Sequence, residues 1–310
     1  MAENWQIESK EIGFTLNQQC GLRLCLHADH LEDALLETLD FDELGDGDPD
    51  NSWLARCILF CLYRNKISGL TDVHQIGTGR NYRGDTMNSF NTLFRWAKEE
   101  PDDDVTPLGS TKKLVIERLQ NVLGDEAYKL FREKINGFFH VYHRLGNFIL
   151  LPNQSIKRDT LNTYRGRNRN LQDFFDLFLC ELKIKMEYGK CTDDGLEEFF
   201  EADINKQYFE NFGETDERFY DFCCKNFIEM YIDPSSKEVL RYNITKSDYL
   251  SRSKNNAAYQ WRIIQLQSFS DKDVIQYKTD AEQYIDIATA RINARTSNMI
   301  QELKKIISSR

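Results

Sequence analysis

The sequence predicts a mainly α-helical globular protein with a few short β-strands, near the N-terminus and around residues 147–152. Hydrophobic residues make up 41% of the 310 positions and aromatic residues 12%, which is enough for a folded core. Proline occurs only 5 times and glycine 16 times, and this scarcity of helix breakers favours long helices. Several segments also repeat apolar residues at intervals of three and four, the spacing of an amphipathic helix.

The first part of the chain combines a short strand with two helices. Residues 21–26 alternate apolar and polar types, which predicts a strand. Residues 30–44 and 51–65 have helical spacing. Cys57 and Cys61 lie four apart in the second of these helices, where we expect them to behave as small buried hydrophobes.

The glycine-rich sequence GTGRNYRG is the next unusual feature. Its turns carry Arg80 and Arg83, and Asp85 or Thr86 is expected to cap a helix that continues through residues 90–96. A helix N-terminus behind a glycine turn offers free N–H groups to a phosphate. The sequence has neither the Gly-Lys-Ser/Thr ending of a phosphate-binding P-loop nor the GxGxxG order of a dinucleotide fingerprint.

The middle of the chain contains a linker, a helix pair and a strand. The polar sequence at 101–112 is the best candidate linker, and two helices broken near Gly124 follow it. The apolar run FILLP at 148–152, bounded by glycine and proline, predicts a strand, and residues 170–188 form an amphipathic helix.

Two further helices, a short strand and a long helix complete the prediction. The helices are expected at 193–213 and 216–233, a short strand lies within 237–250, and a long polar helix covers 272–310. The linker divides the chain into an N-terminal part, 1–100, and a helical part, 113–310, unless both belong to a single domain.

Charge is distributed unevenly along the chain. The net charge is −10, and residues 29–50 contain ten acidic side chains without a lysine or arginine. Residues 153–170 instead contain five basic side chains against Asp159 alone. A globally acidic protein repels nucleic acid at long range, but a local basic patch can bind a short or small phosphate ligand.

Cysteine spacing and hydropathy indicate in which cellular compartment the protein is expected. The eight cysteines include no CxxC pair, so the spacing of a zinc ribbon is absent from the sequence. No apolar stretch resembles a secretory signal or a membrane span. We therefore expect a cytoplasmic protein with reduced thiols and no membrane association.

Two further motifs are RGDTMNSF at 83–90 and the run LGNFILLPNQSIKRDTLNTYRGRNRNLQDFFDLFLCELK at 145–183. Together they resemble a bacterial family of unknown function, DUF6994. Similar features are a glycine-led apolar strand ending in Pro152, an Asn-x-x-Arg-Gly element from Asn162, and an aromatic-Asp-Leu helix. The resemblance covers roughly half of the chain and implies kinship and fold rather than an activity. A role in bacterial or phage conflict is suggested only by the company that such families keep.

The sequence LGNFILLPN at 145–153 is also similar to part of the HNH-type nucleases of the DUF1524 kind. The resemblance implies that His140 or His143 is the metal ligand or general base and that Asn153 orients it, beside a divalent cation that activates water. The upstream His-apolar-x-Pro element of those nucleases is missing here. Two histidines alone do not hold a catalytic metal, and Asp176 is one candidate third ligand.

A set of arginine, asparagine and tyrosine side chains supports a different hypothesis. Arginine binds phosphate bidentately and tyrosine stacks on bases, so such loops suit an anion. The candidate ligand-binding residues are Arg80, Arg83, Asn147, Arg158, Asn162, Tyr164, Arg165, Arg167 and Arg169. The same arginines could instead pair with the neighbouring acidic helices.

Three functions remain open from the sequence. The favoured one is a binding protein with an anion site for a nucleotide or short nucleic acid. The second is a metal-dependent HNH-like nuclease, and only this one requires a cofactor, a divalent metal. The third is an interaction protein that forms a homo-oligomer through its C-terminal helix.

Overall fold

The predicted fold class is confirmed by the structure, a computed structural model. The described residues are 53–90, 93–97, 107–142, 144–153, 174–189, 203–212, 217–242, 244, 266 and 269–308. They form seven α-helices and one two-stranded sheet. The strand expected at 21–26 and the helix expected at 30–44 lie outside these residues.

The helices are numbered in chain order. They are α1 (Trp53–Tyr63), α2 (Pro107–Leu123), α3 (Asp125–Tyr142), α4 (Phe175–Tyr188), α5 (Asp203–Phe209), α6 (Arg218–Lys225) and α7 (Asp271–Ser308). Short 3-10 turns cover Val73–Gln75, Arg95–Ala97, Leu145–Asn147 and Glu229–Tyr231.

The predicted helix pair and its break are confirmed. Gly124 separates α2 from α3 and adopts a φ of +77°, a left-handed conformation that glycine reaches without steric cost. Helix α2 already begins at Pro107, inside the stretch that the sequence suggested as a linker. Proline suits the first turn of a helix, where its missing N–H has no intrahelical partner to lose.

The sheet corrects one prediction and confirms another. Strand β2 (Phe148–Pro152) is present as expected and is buried along its whole length. Its antiparallel partner is β1 (Tyr82–Thr86), so the helix predicted to start at Asp85 or Thr86 is wrong. Polar residues after a glycine are compatible with a helix N-cap and also with a strand beside a buried partner. Here the pairing with β2 selects the strand.

Helix α7 is the centre of the fold. Its buried face packs against α3, α1 and α2 and against the 3-10 turn at Leu145–Asn147. Helix α3 runs beside it: the Phe131 and Tyr277 rings are 6.1 Å apart, and Lys134 pairs with Asp286 at 2.7 Å. The apolar stripe of this helix is therefore covered within the chain. An oligomer joined through α7 would have to use its polar face.

Two predictions in the region 216–242 need correction. The single helix expected at 216–233 ends at Lys225, because Phe227 adopts a φ of +58° and a 3-10 turn follows. In place of a strand, the described residues after 236 contain one isolated antiparallel bridge, between Ile232 and Val239.

Both parts of the predicted domain division contribute to one hydrophobic core. Buried residues from Ala55 to Ala97 belong to the same cluster as those from Val115 to Leu303. Among the described residues, no helix is both long and apolar enough to cross a membrane.

Candidate functional site

The glycine-rich turn at residues 77–81 is shaped by its backbone. Gly77 has a φ of +127° and donates its N–H to the Tyr82 carbonyl at 2.9 Å, and Gly79 has a φ of +72°. Arg80 donates its N–H to the Gly77 carbonyl at 3.1 Å. These left-handed conformations explain the two glycines and place Arg80 on the outside of the turn, where it is exposed.

The turn lies beside the end of β2. Within the sheet, Tyr82 is opposite Pro152 and Arg83 is opposite Leu151. The pairing continues one residue further, because the Asn153 N–H donates to the Asn81 carbonyl at 2.7 Å. The chain therefore leaves the sheet at Asn153 directly beside the glycine turn.

A third arginine, which the sequence analysis did not single out, packs against the same turn. The Arg56 guanidinium from α1 is so close to Gly77 that an added Cβ would lie 2.9 Å from it. Arg56 therefore contacts the turn in which exposed Arg80 lies, and half-buried Arg83 follows in β1, one residue after Tyr82. No sequence signal links Arg56 to the turn, because that contact depends on how α1 packs.

The basic segment follows immediately. The predicted binding residues Arg158, Asn162, Tyr164, Arg165, Arg167 and Arg169 lie outside the described residues. Their segment begins one residue after Asn153 and ends just before Phe174, where the described chain resumes. Asn153, the last described residue before that segment, therefore lies beside the turn that carries Arg80.

Asn147, another predicted binding residue, is fully buried and bonded within the protein. Its Oδ1 accepts hydrogen bonds from the backbone N–H and the Nδ2 of Asn88, both at 3.0 Å. Its Nδ2 donates to the carbonyls of Asn88 at 2.7 Å and Tyr142 at 2.6 Å. With both ends of the amide occupied, Asn147 joins the segment after β1 to the end of α3.

Buried Arg295 of α7 holds the residues that lead into β2. Its guanidinium donates to the carbonyls of Leu145, Gly146 and Phe148 at 2.8 to 3.2 Å. Gly146 permits this close packing, because an added Cβ would overlap the Thr296 hydroxyl. The strand from which the basic segment departs is therefore anchored to the central helix.

The residues suggested for an HNH-like site lie only partly within the described residues. His140 is exposed in the last turn of α3, His143 lies outside the described residues, and Asn153 is half-buried. Asp176, a candidate third ligand, instead accepts hydrogen bonds from Arg241 Nε at 2.7 Å and the Tyr242 N–H at 3.1 Å. Within the described part of the chain, no three His, Cys, Asp or Glu side chains cluster as a metal site needs.

No protein-family model, curated protein or solved structure matches this chain. The resemblances to DUF6994 and to HNH-type nucleases therefore rest on their motif residues and stay predictions.

Proposed function

We propose that the protein binds an anionic ligand, a nucleotide or a short nucleic acid, at the end of the sheet beside the turn at 77–81. Three arginines support this proposal: Arg56 packs on Gly77 of the turn, Arg80 is exposed in the turn, and Arg83 lies at the adjoining end of β1. The planar guanidinium presents paired N–H groups that match two phosphate oxygens.

The observation that carries the proposal is the hydrogen bond from Asn153 to Asn81. Because Asn153 is the last described residue before the basic segment, this bond supports a site shared by two basic sequences that lie far apart in the chain. The net charge of −10 opposes long-range attraction of a long duplex, which favours a short ligand held by local contacts.

The test is a thermal-shift and fluorescence-anisotropy titration of the full chain against nucleotides, short oligonucleotides and divalent metals. A ligand at about 100 times its dissociation constant should stabilise the protein by about 2.7 kcal/mol. Arg80→Ala and Arg165→Ala should each weaken binding about tenfold, since each removes a charge-assisted hydrogen bond worth about 1.5 kcal/mol.

Lys129→Ala is the matched control. Lys129 is an exposed cation near the start of α3, thirteen residues from Tyr142 at the end beside the sheet, or about 20 Å along the helix. Equal losses in the control and the arginine variants would contradict a site at the turn. A metal-dependent shift that His143→Ala abolishes, with cleavage of the oligonucleotide, would favour the nuclease instead.

A further inference from the structure

The contact between Arg56 and Gly77 has a defined geometry. An added Cβ on Gly77 would lie 2.9 Å from each of three bonded atoms of the Arg56 guanidinium, Nε, Cζ and Nη2. A point at that equal distance from three atoms of one plane lies over the plane and not at its edge. The guanidinium therefore lies face-on against Gly77, and its N–H groups, which are in the plane, are directed along the turn.

The second glycine of the turn shows that this contact is particular to Gly77. Both glycines have a positive φ, +127° at Gly77 and +72° at Gly79, so the backbone favours glycine at each position. Apart from its chain neighbours, an added Cβ on Gly79 would meet no atom within 4 Å. A side chain at position 79 would therefore strain the backbone alone, whereas a side chain at position 77 would also displace the guanidinium.

Gly77 also fixes the backbone of the residue that carries a second arginine side chain. The Arg80 N–H donates to the Gly77 carbonyl at 3.1 Å and so closes the turn. The Arg80 residue is exposed, and Arg56 is half-buried. Gly77 thus contacts one arginine side chain and the backbone of another, and such a pair suits a ligand with several charged oxygen atoms.

The aromatic residue of this stretch is buried in the core. Between Gly77 and Arg83 the sequence contains one aromatic residue, Tyr82. Tyr82 is only 5% exposed, and its ring centroid lies 6.5 Å from that of buried Tyr208. Its ring therefore presents no face on which a base can stack. What this stretch presents to a ligand is guanidinium groups, which match phosphate oxygens.

We propose that the ligand is recognised through its phosphate groups and not through a base, and that Gly77 positions Arg56 for this contact. The inference rests on the proposed function and narrows its ligand to nucleoside triphosphates and other oligophosphates, irrespective of the base. Arg56 makes the contact with phosphate, and Gly77 acts through Arg56 as a positioning residue.

The first experiment tests the ligand class by competition. A fluorescent ATP analogue bound to the full chain is followed by anisotropy, and ATP, GTP, CTP and inorganic tripolyphosphate are the competitors. All four should displace the probe at concentrations that agree within about fivefold, since they share three phosphates. A larger difference, whether between bases or between ATP and tripolyphosphate, would overturn recognition through phosphate.

The second experiment tests the positioning role with matched glycine variants. Gly77→Ala should weaken binding of the probe about tenfold more than Gly79→Ala does, because only the first displaces Arg56. Thermal unfolding without ligand measures the backbone strain that both variants share. If Gly77→Ala does not fold, Arg56→Lys takes its place: it keeps the charge, loses the planar group and should weaken binding about tenfold. A loss in Gly77→Ala no greater than in Gly79→Ala would overturn the positioning role.

A double variant separates positioning from a general loss of structure. In an Arg56→Met background, Gly77→Ala should change the affinity by less than about twofold, because the group that it displaces is gone. A larger further loss would mean that Gly77 acts on something other than Arg56 and would contradict the inference.

Failure of the inference and failure of the proposed function give different results. A wild type that binds no phosphate ligand would contradict the proposed function itself. Binding that Arg80→Ala weakens, but that Gly77→Ala and Arg56→Lys leave unchanged, would contradict the positioning role alone.

Discussion

Two buried arginines, Arg291 and Arg295, lie one turn apart on α7, but different kinds of contact hold their guanidinium groups. The Arg295 guanidinium is surrounded by oxygen atoms, all of them uncharged acceptors. They are the carbonyls of Leu145, Gly146, Phe148 and Asn226 and the hydroxyl of Tyr63, at 2.8 to 3.2 Å. Burial raises the pKa of Tyr63, which keeps this hydroxyl neutral.

Arg291 is surrounded by aromatic rings instead. Its guanidinium carbon lies 4.3 Å from the centroid of Tyr231 and 4.5 Å from that of Tyr242. Its Nη2 donates to the Leu240 carbonyl at 2.7 Å, while Nη1 is buried without a hydrogen-bond acceptor in the described structure. Stacking tolerates small shifts of the rings, whereas a set of directed hydrogen bonds does not. We therefore expect the stability of the protein to depend strongly on arginine at position 295 and less strongly on arginine at position 291.

The largest expected effect is the loss of Arg295. Arg295→Met leaves several buried carbonyls without donors, each worth about 1 to 3 kcal/mol, so we expect more than about 4 kcal/mol of lost stability or failure to fold. Arg295→Lys should not restore it, because one ammonium cannot reach acceptors on all these sides. Urea unfolding followed by circular dichroism measures both, and a loss below about 1 kcal/mol in either variant would refute the requirement.

The next effect concerns the glycine that lets the carbonyls approach α7. In Gly146→Ala the new Cβ would overlap the Thr296 hydroxyl and lie 2.5 Å from the Ile292 carbonyl. We expect a loss of about 3 kcal/mol, which Thr296→Ala should restore only in part, because the backbone contact stays. Gly137→Ala in α3 is the control: nothing lies within 4 Å of its added Cβ, so thermal unfolding should show no loss.

A smaller effect is expected at Arg291. Arg291→Met keeps an unbranched side chain between the rings but removes the hydrogen bond and the cation–π contacts, so it should cost about 1 to 2 kcal/mol. Burial raises the pKa of Tyr231 and raises that of Tyr242 well above its ordinary value, so both rings stay neutral when the charge is removed. The same urea titration checks the value. If Arg291→Met lost as much stability as Arg295→Met, the proposed difference between the stacked and the hydrogen-bonded arginine would be contradicted.

The smallest effect is a pH dependence from Lys66, which lies near Arg295. Its pKa is lowered from 10.5 to about 8 when the protein folds, so between these values the unfolded chain holds a proton that the folded protein has lost. The cost of the buried charge is present below pH 8 and fades as pH rises. Lys66→Met should therefore gain stability over the wild type at pH 7, by about 1 kcal/mol after allowance for solvent screening, and less at pH 9.5.

Unfolding curves of both proteins at the two pH values provide the comparison. The buried thiols and tyrosines titrate in both proteins alike, so the difference between the two reports Lys66 alone. A difference that does not change with pH would contradict the shifted pKa.

Local sequence features predicted the elements that local physics determines. The apolar run FILLP between a glycine and a proline is the buried strand β2, and Gly124 ends α2 as expected. The partner of β2 could not be found in this way. The sequence RGDT favours a helix cap on its own, and it becomes a strand because β2, more than 60 residues later, supplies its hydrogen bonds.

The buried, central position of α7 and the contact between Arg56 and Gly77 could not be predicted from local sequence. Arg291, Arg295 and Thr296 interrupt its apolar stripe, so the sequence indicated a polar helix where the structure has the central one. The contact of Arg56 with Gly77 depends on how α1 packs and has no local signal. The residues from Arg158 to Arg169 remain predictions, because they lie outside the described part of the chain.

The place of α7 in chain order has a consequence for biosynthesis. This helix supplies the guanidinium that gathers the carbonyls before and within β2, yet it is translated after every other described element. Until it leaves the ribosome, the earlier helices lack the surface against which their apolar faces pack. We therefore expect ribosome-bound chains that have not yet exposed Arg295 to stay sensitive to protease, and protection to arise in one late step once Arg295 emerges.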